Sequence, residues 1–90
     1  MSITLQNMLP GADIRYSLDM TPMLPEGATL TAAAITMRLG EDRARVTASV
    51  QGTKAIVRVE ARELGPVSFD VIGVFSDGQK DGETIRVQIV

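Results

Sequence analysis

The densest set of oxygen donors in the sequence is Asp77, Asp81 and Glu83, in the run Asp-Gly-Gln-Lys-Asp-Gly-Glu. Oxygen-rich loops of this kind hold calcium when they supply six or more ligands at defined spacing. Here Lys80 stands inside the would-be loop, and the two Asp-Gly pairs suit a tight turn, where glycine passes to positive φ without penalty. The expectation is a hairpin turn over residues 76–82, with no metal and no cofactor. Acyl-transfer chemistry fares no better. Ser2, Ser17, Ser49, Ser68 and Ser76 would each need an adjacent base, and the chain has no histidine. Lys54 and Lys80 are the only lysines, and nothing in the sequence places either in a cleft. Absence of cysteine also removes thiol chemistry, disulfides and the common zinc ligands. The sequence therefore predicts a protein without catalytic residues.

The elements that must carry these residues are read from a period of two. Val67, Phe69, Val71, Gly73 and Phe75 share one parity, and Ile85, Val87 and Ile89 share another, so residues 66–90 form a hairpin with one buried face. Residues 1–6 read as a short first strand. Over 13–20, Ile14, Tyr16, Leu18 and Met20 alternate with Arg15, Ser17 and Asp19. Two prolines and a glycine over residues 21–27 allow one helical turn and no strand, with Leu24 plugging the end of the fold. Residues 28–39 read as a strand that turns Leu30, Ala32, Ile35, Met37 and Leu39 inward, with a bulge at Ala33-Ala34 to reconcile their phase. Turns at 40–43 and 51–53 bracket a strand containing Val46, Ala48 and Val50. The next strand buries Ala55, Val57, Val59 and Ala61 under a charged outer face of Lys54, Arg58, Glu60 and Arg62. That charge pattern reads as a sheet edge guarded against pairing.

About seven short strands in one domain, residues 1–90, indicate an all-β, immunoglobulin-like antiparallel β-sandwich, with a small barrel as the alternative. Its interior must come from aliphatic residues, since Tyr16, Phe69 and Phe75 are the only aromatics among 44% hydrophobic residues. The expected core is Tyr16, Leu18, Leu30, Ile35, Met37, Val57, Val59, Phe69, Val71, Ile85 and Val87. A net charge of −2 and the scarcity of aromatics argue against nucleic acid as a partner. No leader and no run of ~20 apolar residues is evident, so no membrane partner is expected. Arg38, Arg43 and Arg45 are the only local basic excess, and Glu41 and Asp42 beside them read as a solvated loop.

Four phrases in order carry a resemblance: Ile14-Arg15-Tyr16-Ser17-Leu18-Asp19, Leu24-Pro25-Glu26-Gly27-Ala28-Thr29-Leu30-Thr31, Val50-Gln51-Gly52-Thr53-Lys54-Ala55-Ile56-Val57 and Phe75-Ser76-Asp77-Gly78-Gln79. The chain resembles immunoglobulin-like virion proteins of tailed phages, the fibre–tail adaptor family, over most of residues 13–90. It departs from that pattern at Ile35, where tryptophan is common, at Gln79 in place of a frequent arginine, and at a plainer Glu63-Leu64-Gly65 step. The resemblance implies a structural protein of a phage or prophage virion, assembled in the host bacterial cytoplasm. Its partners would be other tail or fibre components, with self-association as a further expectation, and it supplies no catalytic residues. The alternative is a stand-alone adhesion or ligand-binding sandwich. Loop residues Met8, Leu9, Met23 and Leu24 are the expected apolar contacts, with Asp77 and Lys80 on the terminal turn as a second surface.

Overall fold

The computed structural model describes residues 2–90, so Met1, the first residue of the expected opening strand, lies outside the described residues. Among the described residues seven strands form two packed sheets: β1 (Ser2–Thr4), β2 (Asp13–Asp19), β3 (Leu30–Leu39), β4 (Ala44–Gln51), β5 (Lys54–Ala61), β6 (Gly65–Phe75) and β7 (Lys80–Ile89). One sheet has the order β1-β7-β6-β3 and the other β2-β5-β4. All pairings are antiparallel except β1 with β7. The fold is an immunoglobulin-like sandwich, as the alternation predicts. Residues 21–27 do make the single helical turn expected, a 3-10 helix at Thr21–Met23 with Pro22 in its first turn. Among the described residues no helix is long and apolar enough to cross a membrane.

The core forms where the two inner faces meet. Phe69, Val71, Ile85, Val57 and Val59 are fully enclosed, and Leu18, Leu30 and Val87 are buried with them. Tyr16, Ile35 and Met37 pack against this cluster but are only half-buried. All three lie on β2 or β3, the outermost strands of their sheets, where one flank has no neighbour. Met20 fills an aliphatic interior in a specific way. It is fully enclosed, and its Sδ and Cε lie 2.7 Å from where a Cβ on Gly73 would be. Gly73, on the inward parity of β6, is thus the space into which a methionine from the opposite sheet inserts.

Several local expectations change. The irregularity in β3 falls not at Ala33-Ala34 but at Thr31, between Leu30 and Ala32, with a second between Met37 and Leu39. Thr31 accounts for the first, because its hydroxyl donates to the Val74 carbonyl at 2.9 Å. Ala33 consequently turns inward, while Ala32 and Leu39 are exposed. The terminal turn is shorter than expected, since β7 resumes at Lys80 and takes Asp81 and Gly82 into the ladder. Gly82 pairs with Ile72, and a Cβ there would overlap the Val71 carbonyl oxygen. Its glycine is required by close backbone approach and not by a turn. Most consequentially, β5 is the central strand of its sheet, so its charged face guards no edge. Arg58 donates to Asp13 on β2 (2.6 Å), tying the two strands together on the outer face, and its Nη2 also lies 3.0 Å from Glu60 of its own strand.

Two measurements test this packing. Phe69→Ala costs roughly 3–5 kcal/mol, a large part of the ~5–15 kcal/mol that holds a domain together; a thermal midpoint within a degree or two of wild type would place Phe69 outside the core. Gly82→Ala destabilises toward the upper end of the ~1–3 kcal/mol typical of overpacking, because backbone cannot rotate away as a side chain can. An unchanged denaturation midpoint for Gly82→Ala would contradict the close approach of β6 and β7.

Candidate interaction surface

The acidic run at the hairpin does not assemble into a site. Asp77 is engaged by its own turn, its Oδ1 accepting the Gln79 backbone N–H and its Oδ2 the Gln79 side-chain amide, each at 3.0 Å. Asp81 accepts the Gly82 N–H at 2.8 Å. Glu83 pairs with buried Val71 across the ladder, on the inward parity it shares with Ile85. Among the described residues no group of three acidic side chains is placed to hold a metal ion. Lys80 is exposed at the start of β7.

The other expected contacts separate to opposite ends of the sandwich. Met20 N–H donates to the Thr53 carbonyl, so residues 20–29, the turn at 51–53 and the hairpin turn at 76–79 share one end. Thr29 and Ser76 confirm this by bonding each other, with Thr29 N–H to Ser76 Oγ at 2.9 Å and Ser76 N–H to the Thr29 carbonyl at 2.8 Å. Met23 and Leu24 lie at this end, half-buried and packed against the core. At the other end Gly11 N–H bonds the Ala61 carbonyl, which places Met8 and Leu9 a full strand away from Met23. For a strand of β2's length that is about 23 Å, along a molecule 42 Å long. Met8 is also not a surface residue. Its N–H donates to the Gln88 carbonyl, Val90 N–H donates to the Met8 carbonyl, and the residue is 4% exposed. Continuing the sheet along β7 draws it into the core, contrary to the expectation of an exposed contact.

Leu9, by contrast, is 68% exposed, and the other large apolar residues exposed among those described are Leu39 (47%), Leu64 (65%) and Val90 (49%). These four come from four separate stretches of chain. Leu39 ends β3, Leu64 precedes β6, Val90 follows β7 and Leu9 precedes β2, so topology delivers all four to the same end. Arg43 stiffens this end. Its Nη1 donates to the Pro66 carbonyl at 2.9 Å, and its own carbonyl accepts the N–H groups of Arg62 and Glu63. Its side chain also lies across Gly65, where a Cβ would come within 2.7 Å of Nε. Glu41 and Asp42 are exposed as expected, whereas Arg43 beside them fastens the crossover between the sheets.

Beside this end the outer face of the first sheet carries an open groove of about 810 Å³, walled by β1 and the irregular end of β3 and floored by Ser68, Thr84, Arg86 and Gln88. Arg86 has no carboxylate within ion-pair distance among the described residues. Arg38, on the opposite wall, is occupied: its Nε lies 2.8 Å from each oxygen of Asp70. Thr84 donates its hydroxyl to the same carboxylate at 2.6 Å, so Asp70 ties β3 and β7 onto β6. The Thr84 hydrogen bond, with Arg38 behind it, holds the Asp70 carboxyl below the usual aspartate range against the opposing effect of partial burial. Asp70 lies off the buried parity of β6, a signal visible in sequence, but which residues flank it follows from sheet order alone.

Because Asp70 titrates lower when folded than when unfolded, its contribution to stability is complete above the ordinary value of 3.8 and is lost as pH falls through the folded value. Asp13, held low by Arg58, and Asp19, held low by Thr21, act in the same sense. Asp70→Asn should therefore make the acid loss of stability shallower without abolishing it. Urea unfolding from neutral pH down through the aspartate range checks this, and identical acid limbs in the two proteins would rule out the Arg38–Asp70–Thr84 network.

No protein-family model matches the chain, and no curated protein matches it. Among solved structures, amebosin, known from a solution structure, aligns with a TM-score of 0.50 at 12% identity, over 100% of this chain and 99% of that one. At such identity the likeness concerns the fold alone, and what it supports is the two-sheet sandwich described above.

Proposed function

We propose that this chain is a structural assembly module of a tailed-phage or prophage virion, a component of the tail or of the junction between tail and fibres, acting through protein–protein contact without catalysis. The order of sequence phrases shared with fibre–tail adaptor proteins motivates the phage assignment. The observation that carries the contact is the gathering of Leu9, Leu39, Leu64 and Val90 at one end of an elongated sandwich. Scattered single apolar residues need no explanation, but four from separate segments brought to one end form a surface suited to a protein partner. The groove beside them offers Arg86 to a carboxylate of that partner. Met23 and Leu24, at the far end and packed on the core, are support and not contact. The site of action is the virion, reached after assembly in the host cytoplasm.

Particles purified from cells producing the virion test this by mass spectrometry of their protein content. The wild-type chain is expected in the particle, Leu9→Glu and Leu64→Glu reduce its incorporation several-fold while leaving the thermal midpoint of the isolated protein unchanged, and Met23→Glu has the smaller effect on incorporation. Particles that lack the wild-type chain would overturn the virion assignment. Equal incorporation of all three variants would overturn the choice of end.

A further inference from the structure

We propose that the open edge of β2 pairs with β2 of a second copy of this chain, antiparallel and centred on Ser17, joining two three-stranded sheets into one of six. This does not depend on the virion assignment. Four sheet edges are available in the monomer, and three are poor templates. β1 has three residues, β3 is broken by two register shifts with Arg38 at one of them, and β4 lies beside β3 where the chain crosses between sheets. β2 is regular over all seven residues, with no shift in its pairing to β5. Met20 N–H donates to Thr53 and Ala61 N–H donates to Ala12, so even-numbered residues carry the bonds to β5. By the alternation of antiparallel ladders, the N–H and C=O groups of Asp13, Arg15, Ser17 and Asp19 then point away from β5. Among the described residues no backbone group bonds them there. An edge of this kind is a template for another strand.

The charges on β2 choose both the occupant and the register. Arg15 stands directly opposite Arg58 in the ladder, and the Arg58 guanidinium is committed to Asp13 and Glu60. A like-charge cross-strand pair is unfavourable, and Arg15 itself has no carboxylate within ion-pair distance among the described residues. Asp19 uses Oδ1 for both the N–H and the hydroxyl of Thr21, while Oδ2 accepts no hydrogen bond. Centring two copies of β2 on Ser17 places Arg15 of each opposite Asp19 of the other, twice, with the two Ser17 hydroxyls facing at the axis. The alternatives are worse. Centring on Tyr16 opposes Asp13 and Asp19, and centring on Arg15 opposes the two arginines; centring on Ile14 sets Arg15 against an Asp13 whose two carboxylate oxygens already accept from Arg58, and overlaps only residues 13–15 of each β2. On the inner face the Ser17 register sets Tyr16 against Leu18 of the second copy, covering the flank that leaves Tyr16 half-exposed in the monomer. A two-fold arrangement of this kind is closed and self-complementary. Exposed ion pairs add little to affinity, so their part is to select the register, while backbone bonds and the covered Tyr16 and Leu18 hold the pair together.

Sedimentation velocity over a concentration series, with emission of Tyr16, the chain's sole tyrosine in the absence of tryptophan, reads the association directly. Wild type is expected to pass from monomer to dimer as concentration rises, with a parallel change in Tyr16 emission. Arg15→Asp and Asp19→Arg each weaken dimerisation about tenfold or more, and the double variant R15D/D19R restores it by exchanging the signs. Ser17→Pro removes an outward N–H without touching the bonds to β5 and abolishes the dimer. It and Arg15→Asp leave the Asp19–Thr21 turn intact, so they decide the matter if Asp19→Arg fails to fold. A wild type that stays monomeric at every concentration overturns the proposal. So does a dimer that Ser17→Pro leaves intact, or one for which neither charge reversal nor its repair has an effect.

Discussion

The insertion of Met20 over Gly73 shows the constraint under which the whole structure is built. A sandwich with only two phenylalanines and one tyrosine cannot span the gap between its sheets with large rings, and without cysteines it cannot staple them. It must bring the sheets together through close-fitting aliphatic side chains, at a density where one methyl group matters. β6 is the strand on which this depends. Its inward positions from Val67 to Phe75 are all buried, and it is hydrogen-bonded on both sides, to β3 and to β7. Glycine at position 73 is therefore an element of the packing: it is the complement of a flexible thioether that a branched side chain could not replace at equal fit.

The outer faces follow a different logic. Charges there lie across strand boundaries: Arg58 joins β5 to Asp13 on β2, Arg38 and Thr84 converge from β3 and β7 on Asp70, and Arg45 approaches Glu60 at 3.9 Å. Individually such exposed pairs add little stability. Their effect is on register, because a one-residue slip in any strand would separate the partners and at the same time turn apolar side chains outward. The exception is Arg15, whose cross-strand neighbour is another arginine. It lies on the one long edge that neither a bulge nor a covering strand protects, and that coincidence underlies the inference of a dimer.

Elongation governs where contacts can form. Loops alternate between two ends of a body 42 × 19 × 18 Å, so residues adjacent in the chain's loop inventory, such as Leu9 and Met23, are far apart in space, while Leu9 and Leu64 are brought to one end from distant sequence. The stiffness of that end comes from Arg43, which bridges the turn after β3 to the start of β6. Loops held this way have little freedom left to lose, which is the general advantage of presenting loops on a fixed scaffold.

Much of this was determined by the sequence alone. Period-two alternation is local, since a strand's buried face is written in its own residues, so the number of strands, the inward faces of those without a bulge and the sandwich class can be read directly. Phe69, Val71, Ile85 and Val57 belong to the core for that reason, and the lack of histidine and cysteine limits the available chemistry by composition alone. Sheet order was decided only by tertiary structure, because alternation says nothing about which strand lies next to which. Lys54, Arg58, Glu60 and Arg62 have the same pattern in a central strand as in an edge strand, so the sequence defines the buried face of β5 but not its central place in the sheet. The β3 irregularity shows the same limit at smaller scale: four small residues, Thr31 to Ala34, fit either phase, and a hydrogen bond from Thr31 to a residue 43 positions away made the choice. Met8 was drawn inside by a bridge to β7 that no local pattern announces. Local periodicity reports a strand's own faces, whereas neighbours, ends and edges are properties of the assembled sheets.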